Sequence, residues 1–171
     1  MQKEPNYFYA IGGSRCSFDK GIHIVATNQD PTEIRSNYRN VDEYWKMLAE
    51  HETTSATDSK FISIILVRGE KPTGQFGIKV ESFEWLESIP IKLNFQVNFV
   101  DPPGGYGITE QATIPLVIIP IGKLAPGEYH IQVNITRWSG IAHIDYYGNS
   151  FCDPRVKLAQ FEWKQTLTIQ Q

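Results

Sequence analysis

FISIILVRGEKPTGQFGIKV, residues 61–80, decides the fold class. Seven successive apolar or small residues from Phe61 to Val67 leave a strand with no polar face, so both of its sides need cover. After a turn marked by Gly69, Pro72 and Gly74, Phe76, Ile78 and Val80 fall on one face with Gly77 and Lys79 opposite, the period of a half-buried strand. A strand, a turn and a second strand therefore sit at the centre of a β-rich fold. The turn offers Arg68, Glu70, Lys71 and Thr73 without the base, nucleophile or metal set that a reaction requires.

Period-two alternation recurs along the chain. Ile91, Leu93, Phe95, Val97 and Phe99 stand opposite Lys92, Asn94, Gln96 and Asn98 without exception. Burying five such side chains contributes on the order of 7 to 15 kcal/mol before chain entropy is counted, enough to fix register. The pattern returns at Tyr129, Ile131, Val133 and Ile135, and again at Phe161, Trp163, Leu167 and Ile169. These segments read as half-buried antiparallel strands. Shorter candidates at 7–11, 22–27, 113–119 and 141–147 bring the expected total to about nine. Pro115 and Pro120 place the 113–121 run at a sheet edge or break it, because proline donates nothing to a ladder. Between Val80 and Phe83 the apolar parity switches, which calls for a β-bulge near Ser82.

One helix is expected, from Val41, Tyr44, Trp45 and Leu48 at i, i+3, i+4 and i+7, with Asn40 as N-cap, Glu43 at N3 and Trp45 turned inward. The following HETTSATDSK, residues 51–60, is polar and aperiodic and reads as a surface loop. DPPGGYG, 101–107, reads as a hairpin connection. In LAPGEYHIQV, 124–133, the Pro126–Gly127 turn precedes Tyr129, placed like the tyrosine corner of immunoglobulin-like sandwiches, with its hydroxyl reaching upstream backbone. The fold class that follows is a mainly antiparallel β-sandwich or partly open barrel with one packed α-helix, a single domain over residues 1–171, in which Trp45, Phe95 and Tyr129 are structural.

Composition narrows the function classes. Apolar residues make up 41% and charged ones 20%, a globular balance, and the net charge of −3 with scattered Lys and Arg supplies no stripe for consecutive phosphates. Nucleic acid is not an expected partner. No window approaches the roughly 18 apolar residues of a membrane span. If the chain is complete its start carries no leader, which implies a cytoplasmic protein; removal of a leader would imply an extracytoplasmic one. Cys16 and Cys152 are read as two separate thiols, with a single bridge as the alternative.

No catalytic residue and no cofactor is expected. His143 and Asp145 share one side of a strand, but a third ligand is not in sequence reach, and His23 and His130 add only convergence in space. GGYG, 104–107, lacks the Lys-Ser or Lys-Thr and the helix of a phosphate loop. Ser14, Cys16 and Ser139 have no local base. The functional candidates are instead the turn Lys71, Pro72, Thr73, Gly74, Gln75 and Phe76 and the turn aromatics Tyr106, Trp138, Tyr146, Tyr147 and Phe151, because tyrosine and tryptophan supply binding energy when a partner desolvates them.

The helix ending near His51, the strand FISIILV, the residues Gly69, Lys71, Pro72, Thr73, Gly74 and Phe76, and the later proline-containing TIPLVIIPI at 113–121 together resemble the C-terminal domain of the PrcB protease complex subunit family, over roughly residues 40–135. Gln75 stands where that family favours a second glycine, and Phe76 replaces its tyrosine. The resemblance implies an accessory, non-catalytic module of a larger bacterial complex. Residues and resemblance thus give a non-enzymatic module for a protein or peptide partner, reached through the 69–76 turn, neighbouring aromatics or an added edge strand. The alternative is a small-ligand or carbohydrate-binding β domain that uses Asn94, Gln96 and Asn98 with an exposed aromatic.

Overall fold

A computed structural model describes residues 3–13, 16–69, 71, 76–103, 113–145 and 147–171. Among these residues nine strands and one α-helix follow in the order β1 Phe8–Gly12, β2 Gly21–Thr27, α1 Val41–Glu50, β3 Ser55–Thr57, β4 Phe61–Val67, β5 Gly77–Leu86, β6 Ile91–Asp101, β7 Ile114–Gly122, β8 Gly127–Ile144 and β9 Ser150–Gln170. One sheet has the order β1-β7-β4-β2, the other β3-β9-β8-β6-β5. The protein is a mainly β sandwich with one helix, as its patterning requires.

The apolar run of β4 is explained by three layers. Ile62, Ile64 and Leu66 face the second sheet and join Phe95, Tyr129, Ile131 and Val133 in the central core. Ile65 and Val67 point the other way and pack with Tyr44, Trp45 and Leu48 of α1. Strand β7 is divided likewise, Val117 and Ile119 inward and Leu116 and Ile118 beneath the helix. Asn40 caps α1, its side chain accepting from the Asp42 amide at 2.8 Å, and Trp45 lies fully buried. The bulge falls where parity demanded it, between Val80 and Ser82 of β5 against β6.

Several expectations are corrected. Strand β6 pairs β8 in parallel, and β3 pairs β9 in parallel, because alternation sorts faces without choosing neighbours. Strand β7 is interior, between β1 and β4; Pro120 sits where the register with β4 shifts, and the Pro115 carbonyl still accepts from the Arg68 amide at 2.9 Å. The 51–60 stretch contains β3, whose exposed side chains hide a backbone pairing to the end of β9. The hairpin connection expected at 101–107 lies largely outside the described residues, and the strands on either side of it, β6 and β7, belong to different sheets and do not pair with each other. Of the 141–147 candidate, residues 141–144 are the far end of β8, which stops at Ile144, and the C-terminal strand begins at Ser150. Both cysteines are free.

The Tyr129 hydroxyl donates to the Ala125 carbonyl at 2.7 Å. Tyr129→Phe is expected to cost about 1 kcal/mol, seen as a lowered urea midpoint; an unchanged midpoint would show that the bond contributes nothing.

Tyr9 ties the two sheets together, its hydroxyl accepting from the Val80 amide at 2.9 Å. Burial pushes its phenol up to about 12 from an ordinary 10.0, against the opposing pull of the Val80 bond. The folded protein therefore holds this proton more tightly than the unfolded chain does. The stabilisation is full below about pH 10 and is lost as pH rises toward about 12. Tyr9 alone should contribute a slope approaching 1.4 kcal/mol per pH unit, roughly, over that window. Urea midpoints in alkaline buffers should show Tyr9→Phe declining less steeply than the parent; equal slopes would contradict this.

Candidate functional site

At one end of the sandwich the sheets part around a cavity of about 690 Å³. The first sheet brings Arg68, Gly69 and Lys71 from the end of β4 and Ile114 from β7, the second brings Phe99, Arg137, Ala159 and Phe161, and the loop before β2 adds Cys16, Phe18, Asp19 and Lys20. Its walls are thus aromatic and its rim is basic.

Arg68 anchors this end. It follows a strand buried on both faces and is only 2% exposed. Its Nη1 donates across the gap to the carbonyls of Gly77 and Val100, both at 2.9 Å, and Nη2 lies against Asp101 Oδ1. The guanidinium carbon stands 4.9 Å from the Phe99 ring centre and 5.3 Å from that of Phe76, and Nε finds no acceptor among the described residues. Burial, reinforced by nearby Arg137, pulls Arg68 down to about 9, which still leaves it charged at neutral pH. Asp101 also faces Arg137, with Oδ2 3.9 Å from Nε.

Lys71 is placed by backbone. Its amide donates to the Thr113 carbonyl at 2.7 Å and the Thr113 amide donates back at 2.8 Å. Burial, then the proximity of Arg68, Lys20 and Arg137, lowers its ammonium below the ordinary lysine value. Its Nζ stands 5.6 Å from the Phe76 ring centre. Gly69, at φ 97°, lets the Lys20 stem approach; a Cβ there would stand 3.2 Å from that of Lys20. His23 holds the loop that carries Lys20, with Nε2 2.7 Å from the Asp19 carbonyl, Nδ1 2.5 Å from Glu52 Oε1 and its ring 5.0 Å from that of Phe18. Burial raises the Cys16 thiol, which is therefore not poised as a nucleophile.

Of the residues singled out by sequence, Lys71 and Phe76 meet here. Pro72, Thr73, Gly74, Gln75, Tyr106 and Tyr146 lie outside the described residues. Trp138 is half-buried on the outer face of the second sheet, where its Nε1 donates to Asn98 at 3.0 Å, and Tyr147 is 82% exposed at the turn between β8 and β9; neither lines the cavity. His143 packs on Phe151 with ring centres 5.4 Å apart, and no cluster of three metal-ligating side chains occurs among the described residues. Among those residues no helix is long and apolar enough to cross a membrane. Sequence reasoning missed Lys20, Arg68, Asp101 and Arg137 as a group. The available signal was Arg68 itself, a charge set directly after a strand with no wet face.

No family model, curated protein or solved structure matches the chain.

Proposed function

We propose that this chain is a non-enzymatic binding module that takes a segment of a protein or peptide partner at the open end of its sandwich. The observation that carries the reading is the meeting of Lys20, Arg68, Lys71 and Arg137 around one cavity walled by Phe18, Phe99 and Phe161. Aromatic walls with a few directed polar groups suit ligand capture, and the volume lies within the roughly 300 to 1,000 Å³ of ligand sites. Lys71, from the turn singled out by sequence, lines this cavity, and Phe76 of the same turn stands over its buried arginine. The resemblance to an accessory protease-complex domain points the same way, toward service within a larger bacterial assembly. Selection of a displayed library of random linear peptides on the full chain tests the reading. Enriched peptides should lose binding to a Lys71→Ala/Phe76→Ala chain that still melts cooperatively; no enrichment, or enrichment indifferent to those changes, would contradict it.

A small-ligand or carbohydrate reading is favoured by a different face. A cavity of about 530 Å³ on the second sheet is lined by Lys92, Asn94, His130, Gln132, Lys164 and Thr166 among others, and the buried Asn94 Oδ1 has no partner among the described residues. Hydroxyl donors of a sugar would satisfy it.

A further inference from the structure

We infer that the segment received by the cleft is acidic: a carboxylate is held by Lys71, Lys20 and Arg137 while a neighbouring apolar side chain enters over Phe99, Phe161 and Ile114. This deepens the peptide reading and rests on it. The argument begins with charge. The whole chain carries −3, yet four of its basic residues border this one cavity. Among the described residues they face Asp19 on the rim and Asp101 behind Arg68, four positive charges against two negative.

The two carboxylates do not use up the cations. Asp101 is committed to Arg68, whose Nη1 is also occupied by two carbonyls, so Arg68 braces the site and does not offer its charge to a ligand. Arg137 touches Asp101 only through Nε at 3.9 Å, and its side chain is 44% exposed, which leaves its terminal donors open to a ligand. Lys20 and Lys71 make no ion pair with a described residue. Lys71 is held partly buried beside three other cations, an arrangement that a bound anion relieves and a neutral ligand does not. The cavity floor selects the neighbouring group, since Phe18, Phe99, Ile114 and Phe161 present apolar surface next to the basic rim. Phe99 and Phe161 meet edge to face at 6.0 Å, a formed wall for a side chain to cover.

Side-chain and C-terminal carboxylates supply the same chemistry, and four labelled octapeptides separate them. One has two glutamates before a terminal phenylalanine with a free carboxylate; the others replace the glutamates by glutamines, the carboxylate by an amide, or both. Fluorescence anisotropy with the full chain should show the fully acidic peptide binding about tenfold or more tighter than the fully neutral twin, with the advantage shrinking as salt rises. The two intermediate peptides show which carboxylate is gripped. Lys71→Gln and Arg137→Gln, checked for unchanged thermal melting, should each remove several-fold of the acidic preference, weakening the acidic peptide more than its neutral twin. Equal affinity for charged and neutral peptides, no binding of any, or a preference that survives in a Lys20→Gln/Lys71→Gln/Arg137→Gln chain would overturn the inference. Failure here with peptides still enriched from the random library would leave the binding-module reading standing; failure of that selection would remove the reading itself.

Discussion

Replacing Arg68 by alanine is expected to cost about 3 to 5 kcal/mol, a large part of the stability of a domain this size. The side chain leaves the end of one sheet and bonds to backbone and carboxylate of the other, so its loss strips partners from the carbonyls of Gly77 and Val100 and from Asp101 together. Each abandoned acceptor retains its desolvation cost without the bond that offset it. Arg68→Lys should recover only part of the loss, because an ammonium cannot reproduce the planar fork that reaches acceptors on two strands. Urea denaturation followed by tryptophan fluorescence measures both. A midpoint for Arg68→Ala within error of the parent would show that the sheets are not joined here.

Trp45→Ala should be comparably damaging, at about 3 to 5 kcal/mol, because it opens a void between α1 and the outer face of the first sheet. Trp45 is fully buried against Tyr44, with ring centres 5.2 Å apart, and belongs to the cluster of Val25, Leu48, Ile65 and Leu116. Its indole Nε1 has no acceptor among the described residues. Trp45→Phe therefore removes an unpaired donor along with some volume and should cost less than about 1.5 kcal/mol. Near-equal losses for the two substitutions would mean that the indole makes a polar contribution which the packing does not reveal.

Much of the sandwich is legible in the sequence because side-chain period reports which face of a strand is wet. The alternation in β6 and at the start of β8, the unbroken apolar run of β4 and the parity change at Ser82 each correspond to a physical feature, namely one covered face, two covered faces and a bulge. Neighbour choice is not encoded that way. The parallel pairing of β6 with β8 and the interior place of β7 depend on how two sheets divide nine strands, which no local pattern states. Strand β3 escapes for a related reason, since Ser55, Ala56 and Thr57 pair through backbone and bury little.

The cleft was half legible. Lys71 and Phe76 were visible as parts of a punctuated turn, whereas Lys20, Arg68, Asp101 and Arg137 are far apart in the chain and become one charged group only when the sheets close. Trp138, read from the sequence as a turn aromatic, instead lies within β8, where its Nε1 donates to Asn98 on the neighbouring strand.

The most direct test of the cationic cleft is a titration of isotope-labelled protein with the fully acidic octapeptide, followed by amide and side-chain NMR shifts. Saturable changes at Lys20, Lys71, Arg137 and Phe161 are expected, with the polar face around Asn94, Gln132 and Thr166 unmoved. Changes confined to that polar face, or none at all, would contradict the account.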